Sequence, residues 1–361
     1  MRITIVGGGN IGTQFAVHCA EKGHEVIVFT SAPELFDGHL EVVDEIGRTT
    51  HEGDIAKVTS DSKAAFSNAD MIMITFPANL MRLVTDDIYT YASSAAIIGV
   101  VPGNGGCECA FKKHIERGNV FFGIERVPAI ARLIQKGKTV KSTGYRDELH
   151  VAALPRNKAI MCAKIIEGIF DMKTTIIPSF LNLTMTPSNP ILHTTRLKTI
   201  FKDWHEGITY DHLPLFYEEW DDESSELLIA CDKEVQKICQ NMPEFDLGYV
   251  KSLRCHYASS TVQEMTQKLR SIEAFKGIKT PAIEKDGRFI PDLHSRYFTA
   301  DFSFGLSIIK QIGEFADVST PYIDDVLSWY SGIAIEKEEF RFVDYGLKDR
   351  SELEEFYLHI N

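Results

Sequence analysis

The chain has 361 residues, with 38 Lys and Arg against 51 Asp and Glu, a formal charge of −13 and 44% hydrophobic residues. This composition excludes a disordered, collagen-like or low-complexity polymer, and the acidic balance argues against a general nucleic-acid binder, which needs a basic face. The length exceeds what one hydrophobic core usually serves, so two domains are expected. Cysteines stand at 19, 107, 109, 162, 231, 239 and 255, an odd number without a framework, which points to a reducing, cytoplasmic setting. Met1-Arg2 runs straight into an apolar strand pattern, so no signal or transit peptide is expected, and no apolar run approaches the roughly 20 residues of a membrane span.

Residues 3–6 form an apolar strand ending in Gly7-Gly8-Gly9. Residues 11–22 carry helical periodicity and stop at Gly23, and 24–30 form a second apolar strand. A weaker strand follows at 56–61, then a short helix around Ala64, Ala65 and Phe66. Residues 70–76 are continuously apolar, as a buried parallel strand should be, and Pro77 ends the run. Residues 95–101, broken by Pro102-Gly103-Asn104-Gly105-Gly106, and 119–124 continue the alternation. Strand–helix–strand order of this kind implies a parallel sheet covered by helices on both faces. Residues 138–143 and 149–153 resemble additional strands around a turn at Gly144-Tyr145-Arg146-Asp147, 157–170 is helical, and 174–177 is a last strand. Beyond about residue 180 the texture changes. Residues 196–204, 218–239, 261–275, 302–315 and 321–331 fit helices, and strand signals nearly vanish. The acidic stretches at 336–340 and 351–357 are expected to present a solvated helical face.

Gly7, Gly9 and Gly12 form G-x-G-x-x-G between the first strand and the first helix. In that context the first glycine allows a tight turn, the second lets the backbone approach a pyrophosphate, and the third lets helix and strand pack closely. The helix N-terminus adds N–H donors and the positive end of a dipole. The expected fold class is therefore α/β: an N-terminal Rossmann-type doubly wound parallel sheet over residues 1–180, followed by an all-α domain over 181–361. Asn10 and Ile11 at the head of the helix, and Pro77 at the end of a neighbouring strand, join the glycines as candidate cofactor contacts. An acid at the end of the second strand normally holds the ribose 2′-hydroxyl of NAD, but Thr30-Ser31-Ala32 stand there. Hydroxyls tolerate a 2′-phosphate that a carboxylate would repel, so NADP is favoured and NAD stays open. Glu34 and Asp37 are expected to face solvent, and Arg48 reaches the ribose only if its loop folds back.

In the second half, Ser188-Asn189-Pro190-Ile191-Leu192-His193 is the most informative stretch. Asn189 suits an N-cap and Pro190 the first helical position. His193 then falls in the first turn on the face of Asn189, where the dipole disfavours a cation, and an imidazole near neutrality suits acid–base work. A helix-start histidine making one hydrogen bond is the plainer alternative. Arg296 and Asp301 interrupt an aromatic-rich segment. They read either as a surface Arg and an N-cap Asp, or as a carboxylate-binding Arg and an Asp that orients a histidine, and spacing leaves both open.

These two stretches resemble signatures of the octopine/nopaline (opine) dehydrogenase family. Asn189-Pro190-x-x-His193 is similar to its catalytic histidine motif, and Arg296 and Asp301 fall in a segment similar to its R-Y-x-x-x-D-x-x-x-G-L. Val101-Pro102-Gly103-Asn104-Gly105-Gly106 resembles its P-G-x-G-G turn, and Phe122-Gly123-Ile124-Glu125-Arg126-Val127-Pro128 the strand-to-loop stretch that follows. Phe302-Ser303-Phe304 departs from the proline-containing turn expected after Asp301. The resemblance implies NAD(P)H-dependent reductive condensation of an amino acid with an α-keto acid such as pyruvate. It casts His193 and Asp301 as catalytic, and Arg296 and Asn189 as substrate-binding. The partners it implies are small molecules, neither nucleic acid nor membrane, and it leaves a homodimer open. Related two-domain plans centre their chemistry on a helical lysine, for which Lys198 and Lys202 are candidates, and a non-catalytic NAD(P)-sensing protein is a second alternative.

Overall fold

The computed structural model describes residues 1–334 and 339–360. The chain divides into two units, Met1–Leu183 together with the segment from Leu353 onward, and Thr184–Glu352.

The first unit is built on an eight-stranded sheet. Across it the strands run Lys173–Ile176, Glu148–Leu154, Phe121–Ile124, Ile97–Val100, Met71–Ile74, Arg2–Val6, Glu25–Phe29 and Lys57–Thr59. The strands from Phe121–Ile124 to Lys57–Thr59 are mutually parallel, whereas Glu148–Leu154 lies antiparallel to Phe121–Ile124 and parallel to Lys173–Ile176. Every residue of Met71–Ile74, Ile97–Val100 and Phe121–Ile124 is buried, which is why these strands read as unbroken apolar runs. The helix Asn10–Glu21 buries Phe15, Ala16, Val17 and Cys19 in the same core.

A second, four-stranded sheet in the order Thr49–Asp54, His39–Val43, Thr139–Thr143, Ile130–Gln135 was not anticipated. Residues 138–143 and 149–153 therefore do not form a hairpin. Thr139–Thr143 pairs with His39–Val43 and Ile130–Gln135, while Glu148–Leu154 belongs to the main sheet. Thr49–Asp54 lies so close to the first helix that a Cβ on Gly53 would stand 2.6 Å from Cβ of Ala20.

The second unit holds the helices Ser188–Phe201, Asp222–Gln240, Val262–Ser271, Ser307–Phe315 and Pro321–Ile333. Asp221 starts the second by accepting from the Ser224 N–H at 2.7 Å, and Thr261 with Glu264 forms a capping box for the third. The helical character of the unit is interrupted by one hairpin, Ala282–Lys285 with Arg288–Pro291. The helix expected over 302–315 is also broken. Phe302–Leu306 is a π-helical stretch in which Phe304 leaves helical dihedrals, and a regular helix resumes at Ser307. Of the acidic C-terminal stretches, Glu339 and Glu355 are exposed, as on a solvated face, while the apolar side chains beside them turn inward. Residues 335–338 lie outside the described residues, Phe340 is buried, and in 351–357 the side chains of Leu353, Phe356 and Tyr357 are buried. Tyr357 donates to the buried carboxylate of Glu108 within the first unit.

One buried polar group makes the first unit sensitive to acid. His114 lies on the short helix Lys112–Glu116, and its Nε2–H donates to the Thr85 carbonyl at 3.0 Å. Nδ1 is buried with no hydrogen-bond partner among the described residues. Burial first, and the Arg117 charge second, push the imidazole down to about 4 from 6.5. Its contribution to stability is complete above pH 6.5 and falls as pH drops toward 4, because the unfolded chain takes up the proton first. The slope for one such group is about 1.4 kcal/mol per pH unit. Denaturant titrations at pH 7 and pH 5 should show this loss, and His114→Gln, which keeps a donor for Thr85, should remove about that much of the pH dependence.

Candidate active site

The glycine loop and its surroundings lie wholly in the first unit. Gly9 stands at the N-cap of Asn10–Glu21, no side chain caps the helix, and its first turn carries no acid. The helix therefore offers backbone N–H groups and the positive end of its dipole to an anion. Space beside Gly9 is open, with nothing within 4 Å of where a Cβ would stand, whereas a Cβ on Gly12 would meet the Gly7 carbonyl oxygen at 1.7 Å. The residues thus fit a dinucleotide pyrophosphate, with Gly9 as the point of approach and Gly12 as the close contact between loop and helix.

The other expected cofactor contacts fall around this loop with distinct local duties. Ile11 is half-buried, and Asn10 Oδ1 accepts from the Leu133 N–H at 2.7 Å, tying the helix head to the second sheet. Thr30 is buried at the end of Glu25–Phe29, its Oγ1 accepting from the Ala32 N–H at 3.4 Å, and Ser31 is exposed. Pro77 is exposed just after Met71–Ile74. Glu34 and Asp37 are exposed, and Asp37 sits 3.7 Å from Lys138. Arg48 is held by Asp44 at 3.0 Å within the turn between His39–Val43 and Thr49–Asp54.

The second unit assembles a histidine-centred cluster. The helix carrying it spans Ser188–Phe201 with Pro187 at the cap position, so Asn189 is not the N-cap but lies inside the first turn, exposed. The earlier start is permitted because Pro190 also falls in the first turn, where a missing N–H costs no intrahelical bond. His193 consequently lies past the first turn, where the dipole has largely faded. His193 Nδ1 is 2.7 Å from Asp301 Oδ2, and His193 Nε2 is 2.8 Å from the Tyr217 hydroxyl. The side chains of His193 and Asp301 are 5% and 16% exposed, so their attraction is little screened by solvent. Tyr297 covers the imidazole, ring centroids 4.5 Å apart.

Two local devices make this approach work. A Cβ on Gly305 would stand 2.8 Å from Cγ of Pro190, so only a glycine lets the irregular stretch after Asp301 lie this close to the helix of His193. That stretch is anchored by Phe302 stacked on Tyr330 at 4.1 Å. Arg196 supplies the second device. Fully buried, it donates to the Phe216 carbonyl at 3.0 Å, to the Glu219 carbonyl at 2.6 Å and to Asp221 at 2.6 Å. The same helix that presents His193 thereby grips the segment on both sides of Tyr217. Tyr217 is further stacked on Phe275 at 4.1 Å, and burial raises its phenol far above the usual value, so it remains a donor.

This network defines the chemistry available. A carboxylate at Nδ1 fixes the proton there, leaves Nε2 as the acceptor, and stabilises an imidazolium when one forms. Arg296 is exposed, has no carboxylate partner among the described residues, and lies with its guanidinium carbon 5.5 Å from the centre of the Tyr297 ring. The structure thus brings His193 and Arg296 against one aromatic ring, with Asp301 on the imidazole, while Asn189 stays on the exposed start of the helix. Lys198 and Lys202 are engaged elsewhere, with Asp325 and with Glu223 respectively. Tyr217 and Arg196 escaped the sequence reading. Leu215-Phe216-Tyr217 reads as core, and Arg196 reads as a helix-surface cation.

Comparison with known proteins agrees with this architecture. Residues 176–334 match the NAD/NADP octopine/nopaline dehydrogenase alpha-helical domain, and residues 2–103 match the NAD-dependent glycerol-3-phosphate dehydrogenase N-terminus. An opine dehydrogenase of Haliotis discus hannai is 27% identical, over 91% of this chain and 88% of its own. A structure of octopine dehydrogenase with NADH and L-arginine superimposes with a TM-score of 0.85 at 21% identity, covering 98% of this chain and 97% of the other. An NADP+-bound yersinopine dehydrogenase gives 0.65 at 10% identity, covering 92% and 90%.

The contact between Gly305 and Pro190 offers a test that leaves every reactive group in place. Gly305→Ala should push the 302–306 stretch off the helix and lengthen the His193–Asp301 contact. Turnover should drop by about 10- to 100-fold, in line with sub-ångström misplacement of reacting groups, while nucleotide affinity measured by fluorescence titration stays within twofold of wild type.

Proposed function

We propose that the chain is an NAD(P)-dependent oxidoreductase of the octopine/nopaline dehydrogenase family, and that it joins the amino group of an amino acid to an α-keto acid and reduces the resulting imine to a secondary amine dicarboxylate. The observation that carries this reading is the imidazole of His193 held between a carboxylate and a phenol, with the exposed guanidinium of Arg296 over the adjoining aromatic ring. The family resemblance of residues 189–193 and 296–306 supports it.

In this reading Arg296 pairs bidentately with a substrate carboxylate, which a planar fork does better than an ammonium. Asn189 contributes a polar contact at the head of the same helix. Condensation needs a proton delivered to the carbonyl-derived oxygen so that it leaves as water, and a proton removed from the attacking amine. His193 Nε2 performs both transfers, with Tyr217 as the hydroxyl already hydrogen-bonded to it. Asp301 holds the tautomer and balances the imidazolium between the two events. The bound nicotinamide supplies the hydride, and the first-unit loop around Gly7, Gly9 and Gly12, with Asn10, Ile11, Thr30, Ser31 and Pro77, holds the dinucleotide. Hydroxyls rather than an acid after the second strand support use of NADPH at least as well as NADH.

The direct test is a matrix of amino acids against α-keto acids, each followed by oxidation of NADPH and of NADH. Turnover that requires both organic substrates is expected, with a specificity constant for NADPH equal to or above that for NADH. Turnover with a keto acid alone would instead indicate a hydroxy-acid dehydrogenase, and a strong preference for NADH would overturn the reading of Thr30 and Ser31.

Within the active combination, His193→Asn should abolish turnover and leave NADPH binding intact, since the glycine loop belongs to the other unit. Asp301→Asn should slow turnover by about 10²- to 10⁴-fold. The double variant should be little worse than His193→Asn, because groups that act as one device do not add. Multiplicative losses in that cycle would show that the two act separately.

A further inference from the structure

The first helix carries a second histidine cluster, remote in sequence from the chemistry above. His18 and Glu21 stand one turn apart on Asn10–Glu21, and His51 reaches them from the strand Thr49–Asp54. His51 Nδ1 is 2.8 Å from Glu21 Oε2, and the two imidazole centroids are 4.3 Å apart. The three side chains each offer one ligand atom, all within 4.8 Å of one another. We propose that His18, Glu21 and His51 form a binding site for a borderline divalent cation of the zinc class, which clips the edge of the second sheet to the first helix.

The donor set suits such an ion. Two imidazoles and one carboxylate with a remaining position for water is a known way to hold Zn²⁺, with bonds of about 2.0–2.2 Å. That bond length puts ligand atoms about 3.4 Å apart in a tetrahedron, so the observed set closes by small rotations of Glu21, which is exposed, and His51, which is half-buried. His18 is the fixed member. It is buried and packed on Phe170, ring centroids 4.8 Å apart. The Tyr145 hydroxyl lies 3.2 Å from His18 Nε2, an outer contact of the kind that orients a metal-bound imidazole.

The backbone is pre-set for the purpose. Gly53 lets the strand lie directly on Ala20, so His51 is delivered to the helix without a spacer. The neighbouring cation is also neutralised, because Lys22 pairs with Asp171. A second grouping, His39, Glu41 and Glu52, is a weaker candidate: none of the three is buried, and His39 Nδ1 is engaged with Asp54 at 2.7 Å. It serves as the internal control.

The test uses the whole chain, stripped with a chelator and titrated with Co²⁺ and Zn²⁺. One equivalent should bind, Co²⁺ should develop visible d–d bands without a thiolate charge-transfer band, and a saturating excess of Zn²⁺ should raise the thermal midpoint by roughly 3–6 °C. His51→Ala and Glu21→Gln should each weaken binding at least about tenfold and abolish the midpoint shift, while His39→Ala leaves both unchanged. Glu21→Gln touches an exposed side chain, so it keeps the test valid if His51→Ala folds poorly. No binding, binding unaffected by either variant, or a thiolate band that places the metal on cysteine would each overturn the proposal.

Discussion

A carboxylate must reach an imidazole 108 residues earlier in the chain, and the second unit is arranged around that requirement. The two segments approach this closely only because a side chain is absent, which is the role of Gly305 against the ring of Pro190. The cost of the approach is the irregular turn at Phe302–Leu306, a kind of helix defect that often accompanies functional positions. Stacking of Phe302 on Tyr330 holds the defect in a single shape. Once Asp301 is in place, the tautomer of His193, the acceptor at Nε2 and the role of the Tyr217 phenol follow from ordinary hydrogen-bond rules.

Arg196 shows how the rest of that environment is stabilised. A guanidinium taken out of water is costly unless its donors are satisfied. Here they meet two carbonyls and a carboxylate on the chain segment that carries Tyr217. The same bonds that satisfy the buried charge fix the position of the phenol, so stability and site geometry share one set of contacts. The glycine loop divides its work between two residues: Gly12 lets helix and loop touch, and Gly9, at the N-cap, leaves the helix head uncapped and open to an anion.

The sequence revealed most where physical signals are local. Met71–Ile74 and Ile97–Val100 are buried on both faces, so they appear as plain apolar runs and could be placed within a residue or two. Thr49–Asp54 was missed because its sequence, Thr-Thr-His-Glu-Gly-Asp, contains polar residues and a glycine, and its strand character comes from pairing with His39–Val43. The fate of Thr139–Thr143 was misjudged for the same reason, since parallel pairing with a distant strand leaves no trace in the turn that follows it. In the second unit, His193, Arg296 and Asp301 stood out through family resemblance, whereas spacing alone left their roles open. Tyr217 gave no signal, because a tyrosine that uses its hydroxyl inside a core looks like any other core aromatic.

The return of the last described residues to the first unit has a consequence for synthesis. Residues 1–183 leave the ribosome well before the segment from Leu353 that completes their unit. Until Phe356 and Tyr357 arrive, the nascent first unit lacks the phenol that meets the buried Glu108. The contacts of Phe356 and Tyr357 with the first unit therefore form only after the second unit, residues 184–352, has been translated.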